Sequence, residues 1–309
     1  MTGDGKKWLI QNPRGLKIPL VGGYFDFSKI QNISTSCALV LAADYDRKIS
    51  AMNAPPPLIN VQSWNPNVLK KLNQIGFFGI LGIDVTPFCD NSLADNDLMT
   101  VSFYCGSDVS TLEEADRKLL ELAHHIDPNS SLPEAISLAL NSAISEAMIN
   151  VRRHAYPKNH EFKYKHLNKW WMAGSARKSD RTMTIAMYDQ GASIPITYSK
   201  LGLPKKIIKF IKDRTPLIDN HNYLSDGVHI QAAVTYGNTQ TQEKFRGKGL
   251  PQIKDAIDIC GEGTLLIFSR GGQYIYESAK KEKVISYPHS IGGTLVEWTI
   301  KVPKSVEII

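Results

Sequence analysis

From residue 24 the chain alternates strand-like and helix-like blocks. In YFDFSKI (24–30) apolar and polar positions alternate with period two, the pattern of a strand with one buried face. STSCALVLAADYDRKI (34–49) opens on hydroxyl residues suited to an N-cap and continues at helical spacing. PLINVQS (57–63) reads as a strand, and NPNVLKKLNQIGFFGIL (65–81) as one helix that starts at Asn-Pro and has Gly76 near its end. LMTVSFYCG (98–106) is a further strand. Strand, helix, strand, helix, strand predicts a small α/β layer, with NAPPPL (53–58) as a proline-rich connector.

The pattern changes near residue 110. TLEEADRKLLELAHHI (111–126) is an amphipathic helix, and after DPNSSLPE a second, longer helix runs to about His154. RTMTIAMYD (181–189) is a strand ending at Asp189. LPKKIIKFIKDR (203–214) is a basic amphipathic helix, and PQIKDAIDIC (251–260) is another helix. GTLLIFSRG (263–271) and GGTLVEWTIKV (292–302) are strands. This half reads as helices layered on one mixed sheet. The chain is therefore expected to be α/β, divided into 1–109 and 110–309.

Composition narrows the class. The 309 residues are 42% hydrophobic and 21% charged, which allows a sizeable core. No apolar run approaches the roughly 20 residues that span a bilayer, and MTGDGKKWLIQNPRG lacks the apolar segment of a signal peptide. Cys37, Cys89, Cys105 and Cys260 are widely spaced with no CxxC pair, which argues against a zinc site and suits reduced thiols. A cytoplasmic protein is expected. The net charge of +6 is unevenly spread: residues 151–214 hold 15 Lys and Arg against 4 Asp and Glu, a local +11 that leaves −5 elsewhere. Such a basic middle suits phosphates, nucleic acid or an acidic partner, and it equally describes a solvated surface.

Candidate chemistry starts in SEAMINVRRHAYP (145–157). Glu146, Asn150 and His154 recur every four residues along one helical face, beside a face marked as buried by Ala143, Ile144, Ala147 and Val151. Three polar residues in a row are also the ordinary solvated side of a helix, so the spacing alone leaves both readings open. In YDQGASIP (188–195) Asp189 ends a strand and Gly191 follows in a turn, a position that can aim a carboxylate into a cleft. In FRGKGLPQIKDAI (245–257) Gly247 and Gly249 precede a helix, whose exposed N–H groups suit a phosphate. Neither a P-loop nor the GxGxxG fingerprint is present.

The order of these pieces is Glu-x3-Asn-x3-His on a helix, Asp-x-Gly after a strand, GxG-Leu opening a helix, and GGTLVEWTI at the end. That series resembles the GHKL ATP-binding superfamily of gyrases, histidine kinases, heat-shock chaperones and mismatch-repair ATPases. The form of the first motif is most similar to the anti-sigma-factor serine kinases. The resemblance covers roughly 110 to 303 and implies a Bergerat-type α/β sandwich that binds ATP and Mg²⁺. It implies that Asn150 is a Mg²⁺ ligand and that Glu146 is the general base for an attacking hydroxyl or water. His154 would sit near the triphosphate or a lid, or merely near the helix C-terminal dipole. Asp189 would accept the adenine amino hydrogen, Gly191 would let the backbone approach the base, and Gly247, Gly249 and Leu250 would form the phosphate cradle. Thr294 would complete the adenine pocket. Lys244, Arg246 and Lys248 would meet the γ-phosphate or form a surface charge cluster. The family turn is Asp-x-Gly-x-Gly, whereas here Ser193 stands at the second glycine. The long stretch from Lys200 to Lys248 is expected to be a lid.

The first third resembles a STAS-like domain, with Ser34, Thr35 and Ser36 where such domains carry a phosphoserine or where they simply cap a helix. The expected function is ATP hydrolysis or phosphoryl transfer to a protein serine, coupled to a protein partner. The competing reading is a non-catalytic, nucleotide-dependent scaffold. A further alternative is nucleic-acid binding through the basic middle with Trp170 and Trp171 stacking on bases, although a tandem Trp more often belongs to a buried sheet. A homodimer stays open.

Overall fold

The computed structural model describes residues 25–52, 58–85, 97–107, 112–128, 132–162, 166–215, 223–237, 249–278 and 281–304. The described strands form two sheets, and pairing is mixed but dominated by antiparallel neighbours.

The first layer follows the sequence pattern in part. Strand β1 (Phe25–Asp26) pairs parallel with β2 (Leu58–Ile59), joined through helix α1 (Thr35–Met52). The strand expected over 57–63 is cut short because Asn60 adopts a left-handed φ of 56° and opens a 3₁₀ turn over Val61–Ser63. The single helix expected over 65–81 is two: α2 (Pro66–Gln74), capped by Asn65, and α3 (Phe77–Leu81). Gly76 separates them at φ 89°, a conformation a side chain would resist.

Strand β3 (Leu98–Gly106) does not stay with that layer. It pairs antiparallel with β4 (Trp170–Arg177) and becomes an edge of the large sheet. Helices α4 (Leu112–Ile126) and α5 (Glu134–Asn150) follow β3. After β4 come β5 (Thr182–Asp189), α6 (Ile194–Ser199), α7 (Lys205–Arg214) and α8 (Asp226–Tyr236). The chain then forms α9 (Gly249–Cys260), β6 (Gly263–Ser269), β7 (Gly272–Glu277), β8 (Lys281–Ser286) and β9 (Thr294–Lys301). The seven-stranded order is β3-β4-β5-β9-β6-β7-β8.

Both faces of this sheet are covered. Trp170, Met172, Met183, Ile185, Met187, Val296 and Trp298 share one core with α4, α5, α8 and α9. Trp171, Ala173, Ala186, Tyr188 and Leu295 face the other way and share a core with α1, α2 and α3. Burying apolar side chains on both faces is what makes β4 and β5 near-continuous apolar runs rather than alternating ones. Trp170 and Trp171 are buried on opposite faces, so neither can stack on a nucleic-acid base. Among the described residues no helix is long and apolar enough to cross a membrane.

Candidate functional site

A cavity of about 580 Å³ opens between the end of α5, the turn after β5 and the start of α9. Glu146, Asn150, His154, Asp189, Gly249, Leu250 and Thr294 all line it. Seven residues from four separated stretches of the sequence thus meet at one concave surface. Gly191 stands behind the wall, and Lys244, Arg246, Gly247 and Lys248 lie outside the described residues.

Helix α5 does not run on to His154. Its last turn widens into a π-helical segment, Val151–Ala155. A π turn has a longer repeat than an α turn, so Glu146 and Asn150 stay one α turn apart while His154 leaves their line. Its side chain is exposed at the cavity rim. Loss of solvent around the imidazole, and then the Arg153 guanidinium, hold its pKa below the ordinary value.

The π segment also seats the turn after β5. Ala192 N–H donates to Ala155 O at 2.7 Å, and a Cβ on Gly191 would lie 2.5 Å from both the Ala155 carbonyl oxygen and its methyl. Gly191 is therefore required by close backbone approach. Gln190 holds the turn from two further directions: its backbone N–H donates to the Tyr156 hydroxyl (3.1 Å), and its side-chain amide donates to Ala43 O in α1 (3.0 Å). Across the cavity wall, a Cβ on Gly293 would fall 1.9 Å from Asp189 O, so β9 can pair here only through a glycine.

These contacts place the Asp189 carboxyl in a wall of the cavity at 6% exposure. The backbone N–H of Gly191 donates to its Oδ1 at 2.7 Å, and the N–H of Thr294 also donates to it. Burial pushes its pKa up to about 7, against the lowering effect of those two donors. Those two donors do not offset the loss of water around the carboxyl, and a ligand amino group would add a third. Thr294 Oγ1 shares a hydrogen bond of 2.7 Å with Ser269 Oγ, which also accepts from Ile194 N–H at 2.9 Å.

The raised pKa makes a prediction about stability. The native state holds a proton on Asp189 that the unfolded chain releases at its ordinary value of 3.8. The favourable contribution is therefore full below 3.8 and is lost as pH rises through about 7. Asp189→Asn keeps an acceptor for Gly191 N–H and removes the titration. In denaturant unfolding without ligand, the Asn variant should gain on the native protein as pH rises from 4 to 8, by on the order of 4 kcal/mol. Parallel pH profiles for the two proteins would contradict this.

At the other end of the cavity Glu146 is half-buried, and burial raises its pKa while Arg153 opposes the rise. A Cβ on Gly249 would fall 2.4 Å from Glu146 Oε1 and 3.5 Å from Asn150 Nδ2, so the start of α9 meets these two side chains closely and a larger residue there would push the Glu146 carboxylate aside. Asn150 Nδ2 is buried without a partner among the described residues, which leaves that amide uncommitted to the protein. No group of three or more His, Cys, Asp or Glu among the described residues is placed to hold a metal ion. A Mg²⁺ here would depend on the Asn150 oxygen together with phosphate oxygens and water.

Sequence reasoning missed Gln190, Ser269, Tyr198 and Arg153. Gly292-Gly293 was a visible signal for the close approach to Asp189, but nothing local marks Gln190 or Ser269, whose partners are far away in the chain. Tyr198 lines the cavity and its hydroxyl donates to Gly237 O at 3.2 Å, tying α6 to the end of α8. The stretch expected as a lid carries α7 and α8 in its described part, and its residues 216–222 and 238–248 lie outside the described residues. Of the three hydroxyls at the start of α1, Thr35 donates to Ser175 (2.7 Å) and Ser36 donates to Glu297, and both are buried. Ser34 is exposed and caps Cys37 N–H at 3.1 Å.

No model of a known protein family matches this chain, and no curated protein matches it.

Proposed function

We propose that this chain is an ATP-binding protein of the GHKL type, in which the seven-stranded sheet from β3 onward and the helices α4, α5, α8 and α9 form a Bergerat-type nucleotide domain and the first layer is STAS-like. The observation that carries the reading is the buried Asp189 carboxyl, framed by Gly191 and Thr294, in the same cavity as Glu146 and Asn150. Asp189 accepts the adenine amino hydrogen. Asn150 and the start of α9 hold the phosphate end with its Mg²⁺. Bound ATP supplies a transferable γ-phosphoryl group. Glu146 takes the proton from the water or protein serine hydroxyl that attacks the γ-phosphorus, and keeps it while ADP leaves. Burial raises its pKa, which makes it a stronger base than an exposed carboxylate.

A thermal-shift titration tests the reading. Mg-ATP at a hundred times its Kd should stabilise the protein by about 2.7 kcal/mol, and Asp189→Ala should lose the shift. An equal shift in that variant would overturn the adenine contact, and no shift in the native protein would overturn the ATP assignment.

A further inference from the structure

Ser193 stands where the turn after β5 enters α6, at φ 80° and ψ 153°. This is a region that glycine occupies freely and that a side chain strains. The residue is 5% exposed and lines the cavity. Among the described residues no group meets its Oγ, although its carbonyl accepts from the Thr197 hydroxyl at 3.0 Å. Two separate costs therefore coincide at one position. The backbone is strained by the presence of a Cβ, and a buried hydroxyl forgoes its hydrogen bonds. Glycine would remove both. Among the described residues nothing repays them, and a ligand in the cavity would.

The surroundings identify which part of a ligand that is. The next residue, Ile194, donates its N–H to Ser269 Oγ, and Ser269 shares a hydrogen bond with Thr294. Thr294 in turn pairs with Asp189 in the sheet register. Ser193 is thus folded back onto the strand ends that carry Asp189. Glu146 and Gly249 form a separate contact where α5 meets the start of α9.

We propose that the Ser193 hydroxyl hydrogen-bonds the nucleoside half of the bound nucleotide directly, making Ser193 a specificity residue of this site. The inference rests on the ATP reading above. It also explains why the second glycine of the family turn can be replaced here: the serine exchanges ease of folding for a ligand contact.

Ser193→Gly and Ser193→Ala test it, with calorimetric binding of Mg-ATP, Mg-ADP and adenosine and the Tm of the free protein measured together. Both variants should bind all three ligands about tenfold more weakly, the loss of one buried hydrogen bond. Ser193→Gly should at the same time melt higher than the native protein when free. Opposite signs for stability and affinity separate a ligand contact from a merely structural role, which would move both together. Unchanged affinity in both variants overturns the inference while leaving the ATP reading intact. A loss confined to ATP and ADP, with adenosine unaffected, overturns the nucleoside assignment. Native protein that binds none of the three overturns the ATP reading itself, and the inference with it.

Discussion

Glu146→Ala should retain Mg-ATP binding and lose turnover by at least about 100-fold, the lower end of what a positioned general base contributes. The carboxylate is half-buried at the wall of the cavity, and its raised pKa comes from that burial, opposed by Arg153. Its other neighbour is the start of α9, where a side chain at position 249 would displace it. Under the proposed function this carboxylate serves the phosphate end and Asp189 the adenine end. Loss of the carboxylate therefore removes proton transfer and spares affinity. Single-turnover phosphate release and equilibrium binding, measured on the same preparations, separate the two. Turnover within tenfold of the native rate, or affinity falling as far as rate, would remove Glu146 from the role of base. Native protein that binds Mg-ATP and turns none over, alone or with a partner, favours the scaffold reading.

Arg270→Leu should destabilise the free protein by about 3–5 kcal/mol, the typical cost of leaving one member of a buried ion pair without the other. Asp226 is wholly buried at the start of α8, and Arg270 reaches it from the β6–β7 turn through Nε at 2.7 Å and through a second bond from Nη2. Gly271 N–H adds a third donor at 3.0 Å. The arginine also lies over the Tyr223 ring, 5.1 Å from its centroid. These contacts anchor one end of α8 to the sheet. The other end reaches Gly237, which lines the cavity and is held by Tyr198. Asp226→Asn combined with Arg270→Leu should recover part of the loss, because the double variant buries no unpaired charge. Denaturant unfolding of the three proteins decides it. A loss below about 1 kcal/mol in the single variant would mean that Arg270 acts as an ordinary surface cation.

Much of this arrangement is legible in the sequence where a physical pattern is local. The helix over 134–150, the strand ending at Asp189 and the helix after Gly249 are marked by caps, period and breakers within a few residues. The residues at the cavity are legible through the order of their motifs and the family resemblance, since local spacing alone leaves Glu146, Asn150 and His154 open to a solvated-face reading. What escaped has several causes, of which burial on more than one side is the first. Helix α8 buries Val228, Ile230, Ala232, Ala233 and Val234, leaves little polar face, and so lacks the amphipathic signature of α4. Strand β4 was seen only as a tandem Trp. The destination of β3 was hidden because strand pairing is a long-range choice, and Leu98–Gly106 looks the same whether it completes a small layer or borders a large sheet. The π segment is invisible to spacing arguments because they assume an unbroken α repeat.

The coverage of both sheet faces changes how β4 encodes its own alignment. In a strand with one wet side, polarity tells the chain which residues point inward, and a slip of one position is punished at once. Every residue from Trp170 to Ala176 is buried, so polarity carries no such information there. Side-chain volume carries it instead. Trp170 and Met172 fill one core, while Trp171 followed by Ala173 leaves room for α1 on the other. A slip by one would place Ala173 at the Met172 site, opening a void on one face, or Met172 at the Ala173 site, a collision on the other. The register of this strand is written in size rather than in polarity.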